Sequence, residues 1–185
     1  MEFSFAQTPS RRIDHMDLAQ VFRFVSPSVR DAALKTAERL SELGIRHALA
    51  GGLAVGAHGY MRATTAVDFL VGYEAFDHQG SLVAFKPGVP IEVGGIRIDY
   101  LSPIALGPQL EEVLDHPPVT EGLAIVPVEA LVYMKLLAKR RRDLLDVVEL
   151  IKAGADVSRV REYLASYAGD LIPMFEELAN EALGS

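Results

Sequence analysis

Two periods of hydrophobic and polar alternation divide this chain. Residues 27–43 place Ala33, Ala37, Leu40 and Leu43 three or four positions apart, the spacing of one helix face. Ser26 or Ser28 can cap that helix, Pro27 suits its first turn, and Gly44 suits its end. "IRHALA" (45–50) then predicts a short strand, which Gly51 and Gly52 interrupt before a short helix in "LAVGAHG". "AVDFLVG" (66–72) follows with a period of two. Ala66, Asp68 and Leu70 share one face, and Val67, Phe69 and Val71 share the other, the expected core face. "PIEVGGIRIDYLS" (90–102) predicts a hairpin turning at Gly94 and Gly95. Ile96, Ile98 and Tyr100 face one way in it, Arg97 and Asp99 the other. "LAIVP" (123–127) predicts one more short strand.

Beyond Pro127 the period becomes helical. Ala130, Tyr133, Met134, Leu137 and Ala138 form one stripe, and Leu144, Val147, Val148 and Ile151 form another that ends at Gly154. Two weaker helical patterns cover 158–168 and 173–183. Residues 1–25 have little periodicity and are expected to be an arm or an extra element. The pattern predicts an α+β fold, a mixed sheet flanked by helices, with a helical C-terminal part. It predicts a core over 1–127, including the arm, and a helical part over 128–185 packed on it as one compact unit.

Composition narrows this picture. The 185 residues, half of them hydrophobic, suffice to bury a core without disulfides or metals. The chain has no cysteine, which removes thiolate metal sites and agrees with an expected cytoplasmic location. The opening "MEFSFAQTPSRR" does not read as a signal peptide, and no apolar run approaches the roughly 20 residues of a membrane helix. A net charge of −7 disfavours nucleic acid as a general partner, although "KLLAKRRR" (135–142) could bind a small polyanion.

Candidate chemistry gathers at the strand that follows the glycines. A strand, a glycine pair and a helix start can bring backbone N–H groups close to a phosphate, while a tight turn explains the same glycines without a ligand. Asp68 opposes the strand propensity around it, and Asp99 does the same in "IRIDYL". If their strands pair, the two carboxylates converge and could bind a hard cation such as magnesium. Lys135 is an ammonium on a largely apolar helix, so it must snorkel to water or meet an anion. Arg140 to Arg142 read as a solvated helix end or loop. Asp143 and Asp146 read as acidic residues favoured at a helix start. His47 and His58 are isolated and read as structural.

Taken in order, Gly51-Gly52, His58-Gly59, Arg62, Thr64, Asp68 and Asp99, followed by Lys135, Arg142, Asp143 and Asp146, resemble a known pattern. It is that of the nucleotidyltransferase fold of the DNA polymerase β superfamily. The similarity is greatest to the AbiEii-type and minimal nucleotidyltransferases of toxin–antitoxin systems, and it spans roughly 37–154. The resemblance implies magnesium-dependent transfer of a nucleoside monophosphate from a nucleoside triphosphate to a hydroxyl on a protein, a tRNA or a small molecule. It implies metal binding and catalysis by Asp68 and Asp99. It also implies phosphate binding by Gly51, Gly52, Arg62, Thr64 and Lys135, and a possible toxin or antitoxin partner. The family carries a D-x-D strand, and the preferred register puts Asp68 second and Ala66 in the first position; the other register puts Leu70 second. Either way one metal-binding carboxylate is missing, so magnesium is expected to bind weakly. Three readings of the alanine stand open: a non-catalytic protein that binds a nucleotide or partner, a slow enzyme with Glu74 or Asp77 standing in, or an engineered substitution.

Overall fold

The computed structural model describes residues 16–185. Of the expected N-terminal arm, residues 1–15 lie outside the described residues. The rest forms helix α1 (Leu18–Phe24), which packs on the later helix that starts at the glycines and buries Leu18 and Val21. Helix α2 (Pro27–Glu42) follows, with the Ser26 side chain accepting from the Val29 N–H and proline in the first turn. Gly44, at φ 70°, turns the chain out of it.

The next elements are β1 (His47–Leu49), α3 (Gly51–Ala57) and β2 (Ala66–Val71). A hairpin comes next, β3 (Phe76–Gln79) and β4 (Leu82–Phe85), and then the short β5 (Glu92–Val93) and β6 (Ile96–Leu101). Strands β1, β2, β6 and β5, in that order, make a four-stranded sheet; β2 and β6 run parallel and the outer pairs are antiparallel. Helices α4 (Pro103–Leu106) and α5 (Leu110–Asp115) and the small pair β7 (Val119–Thr120) and β8 (Leu123–Ala124) lead to the helical part. That part comprises α6 (Val128–Ala138), α7 (Arg141–Lys152), α8 (Val157–Tyr167) and α9 (Ile172–Leu183). The fold is therefore α+β with a mixed sheet and flanking helices, as the hydrophobic pattern indicates.

The hairpin at Gly94-Gly95 forms as expected, both glycines having positive φ. Val67, Phe69, Val71 and Ile98 are buried, and α2 lies against β2 and β6. Three expectations change. Leu70, on the face it shares with Asp68, is also fully buried, and α3 packs against β2. Helix α6 is buried almost all round from Glu129 to Leu136, while Leu137 and Ala138, expected in its core stripe, are exposed. Hairpin β3–β4 and helices α4 and α5 were not anticipated. In the hairpin almost every side chain is exposed, so no core-driven alternation marks it; its Gly80-Ser81 turn was the local signal.

Arg46 secures the end of β1 opposite the glycines. Its guanidinium pairs with Glu74 at 2.9 Å, Glu111 at 2.8 Å and Asp115 at 2.8 Å, so one side chain ties β1 to the turn before β3 and to α5. Burial pushes the Glu74 carboxyl up, but the hydrogen bonds from Arg46 outweigh it and hold the group below its ordinary value. A depressed folded pKa stabilises above the unfolded value and loses that contribution as pH falls through the folded one. Arg46→Met is expected to lower stability by about 1–3 kcal/mol at neutral pH. The deficit should shrink as the carboxylates protonate in acid, which urea unfolding at two pH values would measure.

Candidate functional site

The parallel register of β2 and β6 builds the floor of the site. It places Ala66 opposite Arg97 and Asp68 opposite Asp99. Neighbouring strands lie roughly 4.8 Å apart, so the two aspartates stand side by side on one face. All four residues line a cavity of about 420 Å³ between the sheet and α6. Gly51, Gly52, Arg62, Thr64 and Lys135 line the same cavity, so the fold brings the candidate metal- and phosphate-binding residues to one place, while His58, Gly59 and Asp146 of the sequence pattern do not line it. Leu70 does not line it, which leaves Ala66 as the position beside Asp68 on β2 that faces the space.

The glycine pair makes room for side chains of this protein. Gly51 has φ 57°, and a Cβ added there would lie 2.0 Å from Oδ2 of Asp68. A Cβ on Gly52 would lie 2.6 Å from Oγ1 of Thr64 and 3.0 Å from Nη1 of Arg62. Any larger residue would drive Asp68 or Thr64 out of position. The tight approach that suggested a phosphate is filled, at least at Gly51, by the Asp68 carboxylate.

The Asp68 carboxylate has no hydrogen bond or ion pair among the described residues, although its backbone carbonyl accepts from the Ala50 N–H at 2.9 Å. Burial raises its carboxyl pKa, and the neighbouring Asp99 charge adds to this; Lys135, Arg97 and Arg62 oppose the rise more weakly. Asp99 is half-exposed and is held by Arg97, whose Nε and Nη2 both lie 2.9 Å from its Oδ2.

Beside the two aspartates a charge network, largely buried except for Arg140, ties α7 to α6 and to the loop before β2. Lys135 Nζ lies 3.0 Å from Asp143 and 2.8 Å from Asp146. Arg62 grips both oxygens of Asp146 at 2.8 and 2.9 Å, and Arg140 pairs with Asp143 at 2.7 Å. Asp143 and Asp146 are buried, so they are more than helix-start residues favoured by a dipole. Burial pushes the Asp143 carboxyl up, but hydrogen bonds from Arg140 and Lys135 hold it below its ordinary value. Lys135 neither snorkels nor waits for a ligand; the anions it meets belong to α7. Arg140–Arg142 are exposed at the junction of α6 and α7, in keeping with a solvated helix end or loop. Lys139, at φ 56°, ends α6, so Arg140 precedes α7 and Arg141 and Arg142 lie in its first turn, where the helix dipole opposes them.

The rim and the far wall were less legible. Arg97, Arg140 and Arg142 reach the cavity, and Arg142 has no hydrogen bond or ion pair among the described residues. Leu101, Leu106, Leu131, Met134 and Leu137 give one wall an apolar surface. Five basic side chains and three acidic ones line the space, a local positive excess in a chain of net charge −7. Glu74 and Asp77 do not line it. Glu74 is engaged by Arg46, and Asp77 lies on the exposed hairpin, so neither stands in for a carboxylate at Ala66.

Among the described residues no three His, Cys, Asp or Glu side chains gather as a ready metal cage. Magnesium is commonly held by one or two carboxylates, with water and substrate phosphates completing the shell, so the Asp68–Asp99 pair suits one such ion. His58 donates from Nε2 to the Val126 carbonyl at 2.8 Å and His47 from Nδ1 to Ile45 at 2.9 Å; burial lowers both pKa values and favours neutral rings. No helix among the described residues is long and apolar enough to cross a membrane.

No family model and no curated protein sequence matches the chain. Its structure is similar to the crystal structure of an antigenic nucleotidyltransferase-like protein from Paracoccidioides brasiliensis. The two share 15% sequence identity and a TM-score of 0.44, over 82% of this chain and 93% of that one.

Two outcomes follow from the electrostatics. A folded pKa raised above the unfolded one costs stability once pH exceeds the unfolded value, and the cost is full above the folded value. Asp68→Asn should therefore raise the melting temperature at neutral pH, by about 2–4 °C for each kcal/mol relieved. The gain should vanish in acid, where Asp68 is protonated in both states; thermal unfolding at the two pH values checks it. Lys135→Met strands two buried carboxylates and should cost about 3–5 kcal/mol in denaturant unfolding, with no ligand present.

Proposed function

We propose that this cavity binds a nucleoside triphosphate and that the protein is nucleotidyltransferase-like, with transfer to a hydroxyl acceptor impaired by the alanine at position 66. One observation supports this above the others. Asp68 and Asp99 stand in register on adjacent parallel strands, at the floor of a cavity with a basic rim and an apolar wall. A triphosphate suits the rim and a flat base suits the wall.

Transfer would form a bond from the acceptor oxygen to the α-phosphorus and break the bond to the β-phosphate bridging oxygen, releasing pyrophosphate. Magnesium, held by Asp68 and Asp99, would supply charge stabilisation to the phosphate oxygens and polarise the hydroxyl. The Asp68 carboxylate, free of any protein partner, orients the acceptor hydroxyl and can take its proton. Gly51 fixes where that carboxylate stands. Arg62 and Lys135 line the cavity and act as fixed positive charge, positioned by Asp146 and Asp143.

Ala66 leaves the third acidic position empty, and Arg97 draws on Asp99. Both features favour a second reading, a non-catalytic protein that binds a nucleotide or a protein partner; a toxin–antitoxin or phage-defence pairing is the setting that the sequence resemblance suggests. Absence of one electrostatic group typically slows turnover by roughly 10²–10³-fold. Pyrophosphate release should therefore be much slower for the wild type than for Ala66→Asp, and lost in Asp68→Asn, in magnesium with all four ribonucleotides and a panel of protein, tRNA and small-molecule acceptors. Equal turnover by wild type and Ala66→Asp would refute impairment at this position. Nucleotide binding without turnover in either would select the non-catalytic reading.

A further inference from the structure

We infer that Arg97 is the site's built-in cation, and that the triphosphate chain binds across Arg97 and Arg142 without needing a divalent ion. The inference rests on the nucleotide-binding reading of the cavity and adds to it the identity of the charge that holds the phosphates.

The β2–β6 register makes a patch of four side chains on the cavity floor: Ala66 and Asp68 on one strand, Arg97 and Asp99 on the other. Two adjacent carboxylates require positive charge nearby. Arg97 supplies it to Asp99 through both Nε and Nη2, leaving Nη1 free. Its side chain is 73% exposed, so the guanidinium can present its free edge to a ligand while keeping its hold on Asp99. The methyl group of Ala66 opposite leaves space beside that edge. A carboxylate there would neutralise Arg97 and repel a phosphate; alanine does neither.

Arg142 completes the arrangement. It lines the cavity from the first turn of α7 and has no hydrogen bond or ion pair among the described residues. The helix dipole makes that an unfavourable place for a cation unless an anion meets it. Lys135 and Arg62 are engaged by Asp143 and Asp146, so the cavity cations with donors to spare are Arg97, Arg142 and Arg140, the last tied through Nε to Asp143. Guanidinium groups match phosphate oxygens in pairs. Two of them across the cavity suit a chain of phosphates better than a single anion.

The test is calorimetric titration of inorganic tripolyphosphate and of the four ribonucleoside triphosphates, in excess EDTA and in excess magnesium. Wild type is expected to bind in EDTA with affinity within about threefold of that in magnesium. Arg97→Gln should weaken binding in EDTA by roughly tenfold or more, the usual worth of a charge-assisted contact, and Arg142→Gln similarly. Arg97→Lys should restore part of it, and Lys35→Gln, on an exposed face of α2 away from the cavity, should change nothing. Thermal unfolding confirms that the variants are folded. Binding by wild type only in magnesium would overturn the inference and leave the nucleotide-binding reading standing. Unchanged binding by Arg97→Gln in EDTA would overturn the role of Arg97. Binding in neither condition would overturn both.

Discussion

Asp68 and Asp99 are opposite one another in the parallel β2–β6 register, and most of what surrounds them answers the repulsion between them. Like charges side by side on neighbouring strands oppose sheet formation. Arg97 neutralises Asp99 from the same strand. Lys135 and Arg62 line the same cavity as Asp68 without bonding to it, and burial leaves that carboxyl with a raised pKa. A carboxylate kept unpaired at the floor of an open cavity is costly for a fold that could place an apolar residue there. Such a cost is usual where a site must receive an ion, a proton or a hydroxyl.

The same constraint explains the glycines and the buried network. Gly51 permits the close approach of Asp68, and Gly52 that of Thr64 and Arg62. Lys135 and Arg62 could not stay in this interior without Asp143 and Asp146, which satisfy them from α7. The result is a cavity whose inner charges are largely balanced within the protein, with exposed guanidinium groups at its rim. Lys135 and Arg62 pair with carboxylates of α7, whereas the exposed guanidinium groups of Arg97 and Arg142 face the cavity.

This division also bears on the alanine. Position 66 faces the cavity beside Asp68 and across from Arg97. A carboxylate there would stand against the guanidinium and compete with Asp99 for it. Alanine at 66 and arginine at 97 are thus electrostatically consistent with each other.

By itself the sequence determined the α+β class, the principal helices, the hairpin at Gly94-Gly95 and the face that carries Ala66 and Asp68, because periodicity and turn residues act within a few positions of one another. It also singled out the residues that meet in the cavity, since an aspartate in an apolar strand or a lysine on an apolar helix stands against its local surroundings. Hairpin β3–β4 escaped because its exposed strands bury no face that a pattern could reveal. Only the tertiary structure decided who partners whom. Lys135 and Arg62 proved to be held by Asp143 and Asp146, Arg97 came to lie opposite Ala66, and Gly51 came to lie against Asp68. Strand register and helix packing set those contacts across separations of up to 84 residues, and no local spacing encodes them.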